Sequence, residues 1–146
     1  RGKPRPLEVR AKAKRPPVTP EKTIQSSFIE WRDTFKQRHR ELHAIFAVPN
    51  GIWTHKAVAK AMVAQGMTAG IPDIICLAPS SCGRYHGLVI EFKSEQGDVT
   101  PEQKFFIQFF SDLGMRTAIM RDWTDAARLV NEHLGTSVPV PPKRGS

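Results

Sequence analysis

Two short apolar stretches that carry charged residues decide how this chain folds. Residues 70–77 read GIPDIICL, and residues 88–93 read LVIEFK. Apolar runs of this length, bounded by turn residues, are too short for buried helices and are typical of strands. The sequence PSSCG at 79–83 separates them and is rich in turn-forming residues. We therefore predict two neighbouring strands, at 74–77 and 88–92, joined by a loop.

Helices and further strands are predicted on both sides of this pair. Thr19 and Pro20 form a typical helix start, with Thr19 as N-cap and Pro20 as the first helical residue, and apolar spacing predicts a helix to about Arg40. Thr100 begins another helix, in which Gln103 completes a capping box. The remaining predicted elements are strands at 44–48 and 117–120, helices at 54–67 and 123–134, and an end near Gly114 for the helix that follows Thr100. The predicted order is αβαββαβα, an α/β fold.

The composition restricts the class of protein. The chain has 146 residues, of which 40% are hydrophobic and 25% charged, as expected for one globular domain. No uncharged stretch approaches the length of a membrane span, and no signal-peptide core is visible, so we expect a soluble protein without a membrane partner. Cys76 and Cys82 form no CxxC pair, which excludes a disulfide framework or a cysteine-rich zinc site.

Most of the net charge of +8 lies at the two ends of the sequence. Residues 1–15 hold seven basic residues against Glu8, and Lys143 and Arg144 add two more positive charges, so residues 16–142 carry no net charge. Changes in composition predict a basic, proline-rich arm at 1–19, a folded domain at 20–135 and a tail at 136–146. Such an arm is typical of polyanion binding, although a solubilising tail is the alternative. The candidate DNA-binding cations are Arg10, Lys12, Lys14 and Arg15 in the arm and Arg32, Lys36, Lys56 and Lys60 in the domain.

Three charged residues at the central strands indicate chemistry. Glu91 and Lys93 are two residues apart, so they point to the same face of the strand while Phe92 points to the other. Asp73 begins the preceding strand, where a charge is costly to bury without a partner. Two carboxylates on adjacent strand ends can bind Mg²⁺, and a nearby lysine can orient a water for attack on phosphorus. The alternative is a surface ion pair between Glu91 and Lys93, with Asp73 as a turn residue.

A known family shows the same motifs in the same order. The chain resembles the VRR-NUC domain, the virus-type replication-repair nuclease branch of the PD-(D/E)XK superfamily. The motifs are GIPD at 70–73, EFK at 91–93, TPEQ at 100–103, PNG at 49–51, and Glu21 four residues before Gln25. The resemblance covers roughly residues 20–135 and implies a restriction-endonuclease-like core, with a central mixed β-sheet flanked by helices.

The resemblance also implies a function. It predicts an Mg²⁺- or Mn²⁺-dependent endonuclease, without a small-molecule cofactor, that hydrolyses phosphodiester bonds. Small members of the family are mostly phage or bacterial proteins that act as homodimers on branched DNA such as Holliday junctions. We therefore expect a cytoplasmic protein of a bacterial or phage-infected cell, with a nuclear location left open. The alternatives are an inactive DNA-binding accessory protein on the same fold and a sequence-specific, restriction-type nuclease.

The family's functional residues can be carried over by position. Asp73 and Glu91 would bind the metal with the backbone carbonyl of Phe92, and Lys93 would orient the water. Glu21 and Gln103 would complete the site, and Asn50, which matches the family's PNG motif, would contact DNA. At about 100° per residue Glu21 projects on the core-facing side of its helix, which calls for a partner, although a favourable first-turn charge is the alternative. For Gln103 the alternative is the helix cap alone, and for Asn50 it is a turn.

The helix after Thr100 carries more aromatic residues than one face can bury. Phe106, Phe110 and Leu113 are predicted to pack on the sheet. Phe105 and Phe109 lie about 100° away around the helix. Either the last helix covers them, through the region of Trp123, Ala127 and Val130, or a second copy of the chain does. We predict a homodimer, because two related active sites match the symmetry of a four-way junction.

Overall fold

Helices and strands follow one another along the chain in the predicted order, αβαββαβα. The computed structural model describes residues 17–49 and 55–143. The elements of this part are helix α1 (Glu21–Phe35), strand β1 (Ile45–Ala47), helix α2 (Lys56–Ala64), strands β2 (Ile74–Cys76) and β3 (Leu88–Phe92), helix α3 (Pro101–Asp112), strand β4 (Arg116–Met120) and helix α4 (Trp123–Leu134). A short 3₁₀ helix, Arg40–Ala44, precedes β1. No helix among these is long and apolar enough to cross a bilayer.

The four strands form one mixed sheet, in the spatial order β1-β2-β3-β4. The pairs β1–β2 and β2–β3 are antiparallel, and β3–β4 is parallel. Antiparallel neighbours can be joined by a short loop, whereas the parallel pair needs a crossover, which α3 provides. The predicted α/β fold with a mixed sheet flanked by helices is confirmed.

The hydrophobic core lies between one face of the sheet and the helices α1 and α4. Ile90 and Phe92 of β3 point into it, together with Phe28 of α1 and Val130 of α4, all of them fully buried. Because strand side chains alternate, Val89 and Glu91 point to the opposite face. That face is covered by α3, from which Gln103 reaches Glu91. β3 is therefore an interior strand of the sheet that is buried on both faces.

The segment after α4 belongs to the packed body. Val138 is 3% exposed and lies in the core, and its backbone N–H and C=O both bond to the side chain of Asn131, at 2.9 Å each. The indole N–H of Trp31 donates to the carbonyl of Pro139 at 2.8 Å. The folded body thus extends beyond residue 135, the boundary expected from composition.

The start and end of α1 differ from the prediction. Thr19 is not the N-cap; Pro20 is, and its carbonyl accepts the N–H groups of Thr23 and Ile24. Pro20 itself keeps an extended backbone, with ψ of 147°, so Glu21 is the first helical residue. The helix ends at Phe35 rather than near Arg40, because the chain turns there and the 3₁₀ helix buries Leu42 completely.

Helix α2 is shorter than the predicted 54–67. It ends at Ala64, and Gly66 follows with a φ of +106°, a conformation that favours glycine. The N–H of Met67 then bonds back to the carbonyl of Met62, which is the usual way a helix closes on such a glycine. Residue 54, where the helix was predicted to begin, lies outside the described residues.

Helix α3 exposes several of its apolar residues. Phe106 and Phe110 are partly buried, as expected for the face on the sheet. Leu113 is 54% exposed, so its predicted packing on the sheet is wrong: the helix ends at Asp112, and Leu113 lies past the last packed turn. Phe105 and Phe109 are also exposed. Helix α4 packs on the opposite face of the sheet and does not cover them.

Candidate active site

Asp73 lies beside Glu91 because β2 and β3 are antiparallel neighbours. Ile74 pairs with Ile90, so the next step of the register brings Asp73 opposite Glu91. The Asp73 carboxylate accepts the backbone N–H of Phe92 at 2.8 Å. Its own carbonyl accepts the N–H of Val48 at 2.8 Å, which continues the β1–β2 ladder. Asp73 is therefore fixed between two strands, with its carboxylate at the buried end of β3.

Glu91 is an acid in an unfavourable place for a charge. It is 2% exposed, and burial together with the Asp73 carboxylate raises its pKa from near 4.5 to about 8. Burial also raises the pKa of Asp73. Atom Oε2 of Glu91 is buried and has no hydrogen-bond partner among the described residues. Without a bound metal ion, Glu91 therefore keeps its proton to a higher pH than an ordinary glutamate.

Lys93 brings a buried ammonium to the same place. It follows β3 directly and is 6% exposed, and its backbone N–H continues the ladder by donating to Met120. Its Nζ lies 3.8 Å from Oε1 of Glu91 and 3.9 Å from Oε1 of Glu21. Lys93 therefore stands between two acids that are 70 residues apart in the sequence.

Glu21 reaches the site from the first turn of α1. Its side chain is 45% exposed, so it forms the solvent side of the cluster. Its charge contributes to the raised pKa of both Asp73 and Glu91. The structure thus places Glu21 with the strand residues, as the helical projection indicated.

Gln103 connects the helix cap to the cluster. Its side-chain carbonyl accepts the backbone N–H of Thr100 at 2.9 Å, and its backbone N–H donates to the Thr100 hydroxyl, which forms the predicted capping box. Its side-chain amide donates to Oε1 of Glu91 at 2.7 Å. The Gln103 side chain therefore both caps the helix and contacts the acidic cluster, so the two alternatives for this residue do not exclude each other.

Gly70 allows α3 to approach the strand end closely. Its φ is +85°, and a Cβ there would lie 2.7 Å from the backbone of Glu102. A side chain at this position would push the first turn of α3 away from the loop that leads into Asp73. The glycine of the GIPD stretch therefore sets the distance over which Gln103 reaches Glu91.

The cluster offers oxygen ligands suited to a hard divalent cation. Asp73 and Glu91 bring two carboxylates together, and a cation beside them would give Oε2 of Glu91 the partner that it lacks and would favour its ionised form. No histidine or cysteine of the described residues takes part in the cluster. Within 17–49 and 55–143, no three Asp, Glu, His or Cys side chains are already arranged as a metal site. Metal binding would therefore require side-chain adjustment, for which the half-exposed Glu21 is the freest.

Comparison with known proteins identifies the family of this chain. Residues 13–123 match the VRR-NUC domain family, which is more than half of the chain. The chain belongs to the VRR-NUC family. A solved structure described as a VRR_NUC domain protein is 25% identical and superposes with a TM-score of 0.63, covering 80% of this chain and 89% of that one. No curated protein matches the chain significantly.

Family membership confirms the resemblance found in the sequence. VRR-NUC is a nuclease family, so the chain has the fold of a nuclease domain, and DNA is the substrate that this implies. The cluster of Asp73, Glu91 and Lys93 lies within the matched residues, as do Glu21 and Gln103.

The proposed DNA contacts of this VRR-NUC domain are unevenly placed. Arg32 is engaged inside the protein, because it donates to the carbonyl of Ile45 at 2.8 Å and pairs with Asp33. Lys36 also pairs with Asp33, at 3.0 Å. Lys56 and Lys60 are exposed on α2, a helix without buried residues. Arg10, Lys12, Lys14, Arg15 and Asn50 lie outside the described residues.

Two further residues at the site were not predicted from the sequence. Arg121, just after β4, donates to carbonyls of the loop that follows Lys93. Gly97 of that loop lies against the carboxylate of Glu21. The positive charge and the glycine are visible in the sequence, but neither shows that the two residues meet.

Proposed function

We propose that this VRR-NUC protein is an Mg²⁺- or Mn²⁺-dependent endonuclease that hydrolyses phosphodiester bonds in branched DNA, such as Holliday junctions, as a homodimer. The observation that carries the proposal is the half-buried Asp73 next to the buried Glu91, with the ammonium of Lys93 3.8 Å from Glu91. A fold does not need such a group for stability, since a buried acid next to a second carboxylate is costly. Their position is better explained by a ligand that they bind.

The metal would be held by Asp73, Glu91 and the backbone carbonyl of Phe92, with Glu21 on the solvent side. The chemistry that Mg²⁺ or Mn²⁺ supplies in such a site is Lewis acidity, which offsets charge on the phosphoryl oxygens. Gln103 keeps Glu91 in place through its hydrogen bond of 2.7 Å.

Lys93 would orient the attacking water and offset the negative charge that builds up on the phosphate. Its ammonium is buried and lies close to two acids, so it is held in one position before DNA binds. A fixed charge in a site that excludes water stabilises a transition state more strongly than a mobile one at the surface.

The exposed aromatic face of α3 supports the homodimer. Phe105 is 61% and Phe109 44% exposed, and their rings are stacked with centroids 6.0 Å apart. Exposed aromatic pairs of this kind are typical of protein interfaces. A two-fold arrangement would present two active sites to the two symmetric strands of a four-way junction.

A cleavage assay tests the proposal directly. Purified protein is incubated with Mg²⁺, Mn²⁺ or EDTA on linear, flap and four-way DNA of matched sequence, with the Asp73→Asn variant as control. We expect metal-dependent cuts in branched DNA and none from the variant. Binding of branched DNA without cleavage would indicate an accessory protein, and equal cutting of linear DNA would remove the junction from the proposal.

A further inference from the structure

One arginine holds the loop that follows Lys93. The Nη1 atom of Arg121 donates to the carbonyl of Ser94, to that of Gly97 at 2.9 Å and, more weakly, to that of Glu95 at 3.3 Å. Arg121 is the residue after Met120, which accepts the backbone N–H of Lys93 at 3.0 Å. The β3–β4 ladder therefore ends at Lys93, and Arg121 continues the attachment where main-chain pairing stops.

The same loop lies against the carboxylate of Glu21. A Cβ on Gly97 would lie 2.9 Å from Oε1 of Glu21, closer than such atoms pack. The loop turns tightly, since the N–H of Gly97 donates to the carbonyl of Ser94 at 3.1 Å. The loop backbone therefore lies close to the Glu21 carboxylate and restricts its movement on that side.

The contacts of Arg121 are directed to this loop. Among the described residues no carboxylate forms an ion pair with it, and its side chain is not part of the hydrophobic core. An arginine is suited to this role, because its planar guanidinium donates to several acceptors in a fixed geometry. Neither the core nor surface charge pairing explains its position.

We propose that Arg121 is a positioning residue, which fixes the 94–97 loop and through it keeps Lys93 and the carboxylate of Glu21 together. The inference rests on the proposed nuclease function and adds to it a residue outside the acidic cluster. Arg121 itself does not touch the reacting atoms. Loss of the three carbonyl contacts would free the loop, and Glu21 and Lys93 would lose their common position.

The test uses the full chain and four variants. Arg121→Ala removes the contacts, Arg121→Lys keeps the charge and part of the donors, and Gly97→Ala displaces Glu21 without touching Arg121. Arg84→Ala removes another exposed arginine as control. Each protein is compared by hydrogen exchange of the amides at 94–98 without DNA, by Mn²⁺ affinity, by single-turnover cleavage at saturating enzyme, and by DNA affinity at several salt concentrations.

The four variants should give different results in these measurements. Arg121→Ala should speed exchange at 94–98, weaken Mn²⁺ binding and lower the cleavage rate by about 10- to 100-fold, since a misplacement of about 1 Å costs that much. DNA affinity and its salt dependence should not change. Arg121→Lys should recover part of the rate, Gly97→Ala should lower the rate and Mn²⁺ affinity without faster exchange, and Arg84→Ala should behave as wild type.

Two results would overturn the proposal. Unchanged exchange and an unchanged rate in Arg121→Ala would show that the loop does not depend on the arginine. Weaker DNA binding with a salt slope lower by about one, but a normal rate at saturation, would identify Arg121 as a phosphate contact instead. If the wild-type protein cleaves no DNA, the proposed function fails, and exchange together with Mn²⁺ affinity still decides whether Arg121 positions the site.

Discussion

Gln103 bonds to Glu91 through its side-chain amide while its side-chain carbonyl caps the helix to which it belongs. The first contact is 2.7 Å and the second, to the N–H of Thr100, is 2.9 Å. A change in the first turn of α3 therefore changes the surroundings of a buried acid. The helix end and the acidic cluster form one hydrogen-bonded unit.

Substitutions at Gln103 and Thr100 separate the two contacts. Gln103→Ala removes both the cap and the bond to Glu91, so we expect lower stability and slower cleavage. Thr100→Ala removes only a cap, which costs about 1 kcal/mol of unfolding free energy, and cleavage should stay near normal. Urea unfolding and single-turnover rates measure the two effects. Equal loss of cleavage in both variants would show that Gln103 acts only through the helix.

Substitutions of Asp73 and Lys93 should affect cleavage and metal binding differently. Lys93→Ala should lower the cleavage rate by about 10²- to 10³-fold, as for loss of one preorganised charge, while Mn²⁺ binding measured by calorimetry is largely kept. Asp73→Ala should lose both cleavage and Mn²⁺ binding, because it removes a proposed ligand. Near-normal cleavage by Asp73→Asn or Glu91→Gln at saturating Mg²⁺ would contradict the site assignment.

The raised pKa of Glu91 predicts a pH dependence of stability. The folded state keeps the proton up to a pKa of about 8, whereas the unfolded chain releases it near 4.5. Folding is therefore favoured most below pH 4.5, and this contribution is lost as the pH rises to about 8. The Glu91→Gln variant has no such proton. Its stability relative to wild type should rise by up to about 1.4 kcal/mol per pH unit in that window.

Urea unfolding at pH 5, 6, 7 and 8 without divalent metal measures this difference. The comparison between the two proteins cancels most other titrating groups. A difference that stays constant over the range would mean that Glu91 ionises normally in the folded protein.

The basic segment 1–15 should support affinity rather than chemistry. It carries seven basic residues and Glu8, and it lies outside the described residues. Its deletion should weaken DNA binding and flatten the dependence of log K on log salt, because fewer counterions are released. Single-turnover cleavage at saturating enzyme should remain. An unchanged salt slope would show that this segment does not contact DNA.

Charged substitutions on the aromatic face of α3 test whether this face forms the dimer interface. Phe105→Glu combined with Phe109→Glu should convert a dimer into a monomer, since two buried charges facing their own copies are unfavourable. Light scattering at micromolar concentration measures the mass. Val63→Glu, at a site 59% exposed on α2, is the matched control and should leave the dimer intact. A wild-type monomer that still makes paired cuts in a four-way junction would remove the dimer from the mechanism.

Local signals were sufficient for the central and last elements of the fold. The predicted bounds of β3 and α4, at 88–92 and 123–134, agree with the structure. Both are delimited by turn residues, and α4 ends at Gly135 with a φ of +68°. The end of α1 could not be predicted in this way, because it depends on the burial of Leu42 in a later tertiary contact.

The acidic cluster could be predicted from the sequence because its members carry charges at positions where the apolar pattern predicts burial. Asp73, Glu91 and Lys93 stand out in apolar strands, and the structure brings them together with Glu21 and Gln103. Arg121 gave no comparable signal, since its partners are backbone carbonyls, which every residue has. For Arg32, likewise, the sequence does not show that it bonds to the carbonyl of Ile45.

Both ends of the folded body meet at one place. Thr19, before α1, and Pro141, two residues after Pro139, line the same cavity with Thr23 and Trp123. Since Glu21 follows two residues after Thr19, a segment attached at either end would be tethered beside the acidic cluster. A short linker between the two ends should also permit circular permutation, with new termini opened in the exposed loop at 81–84.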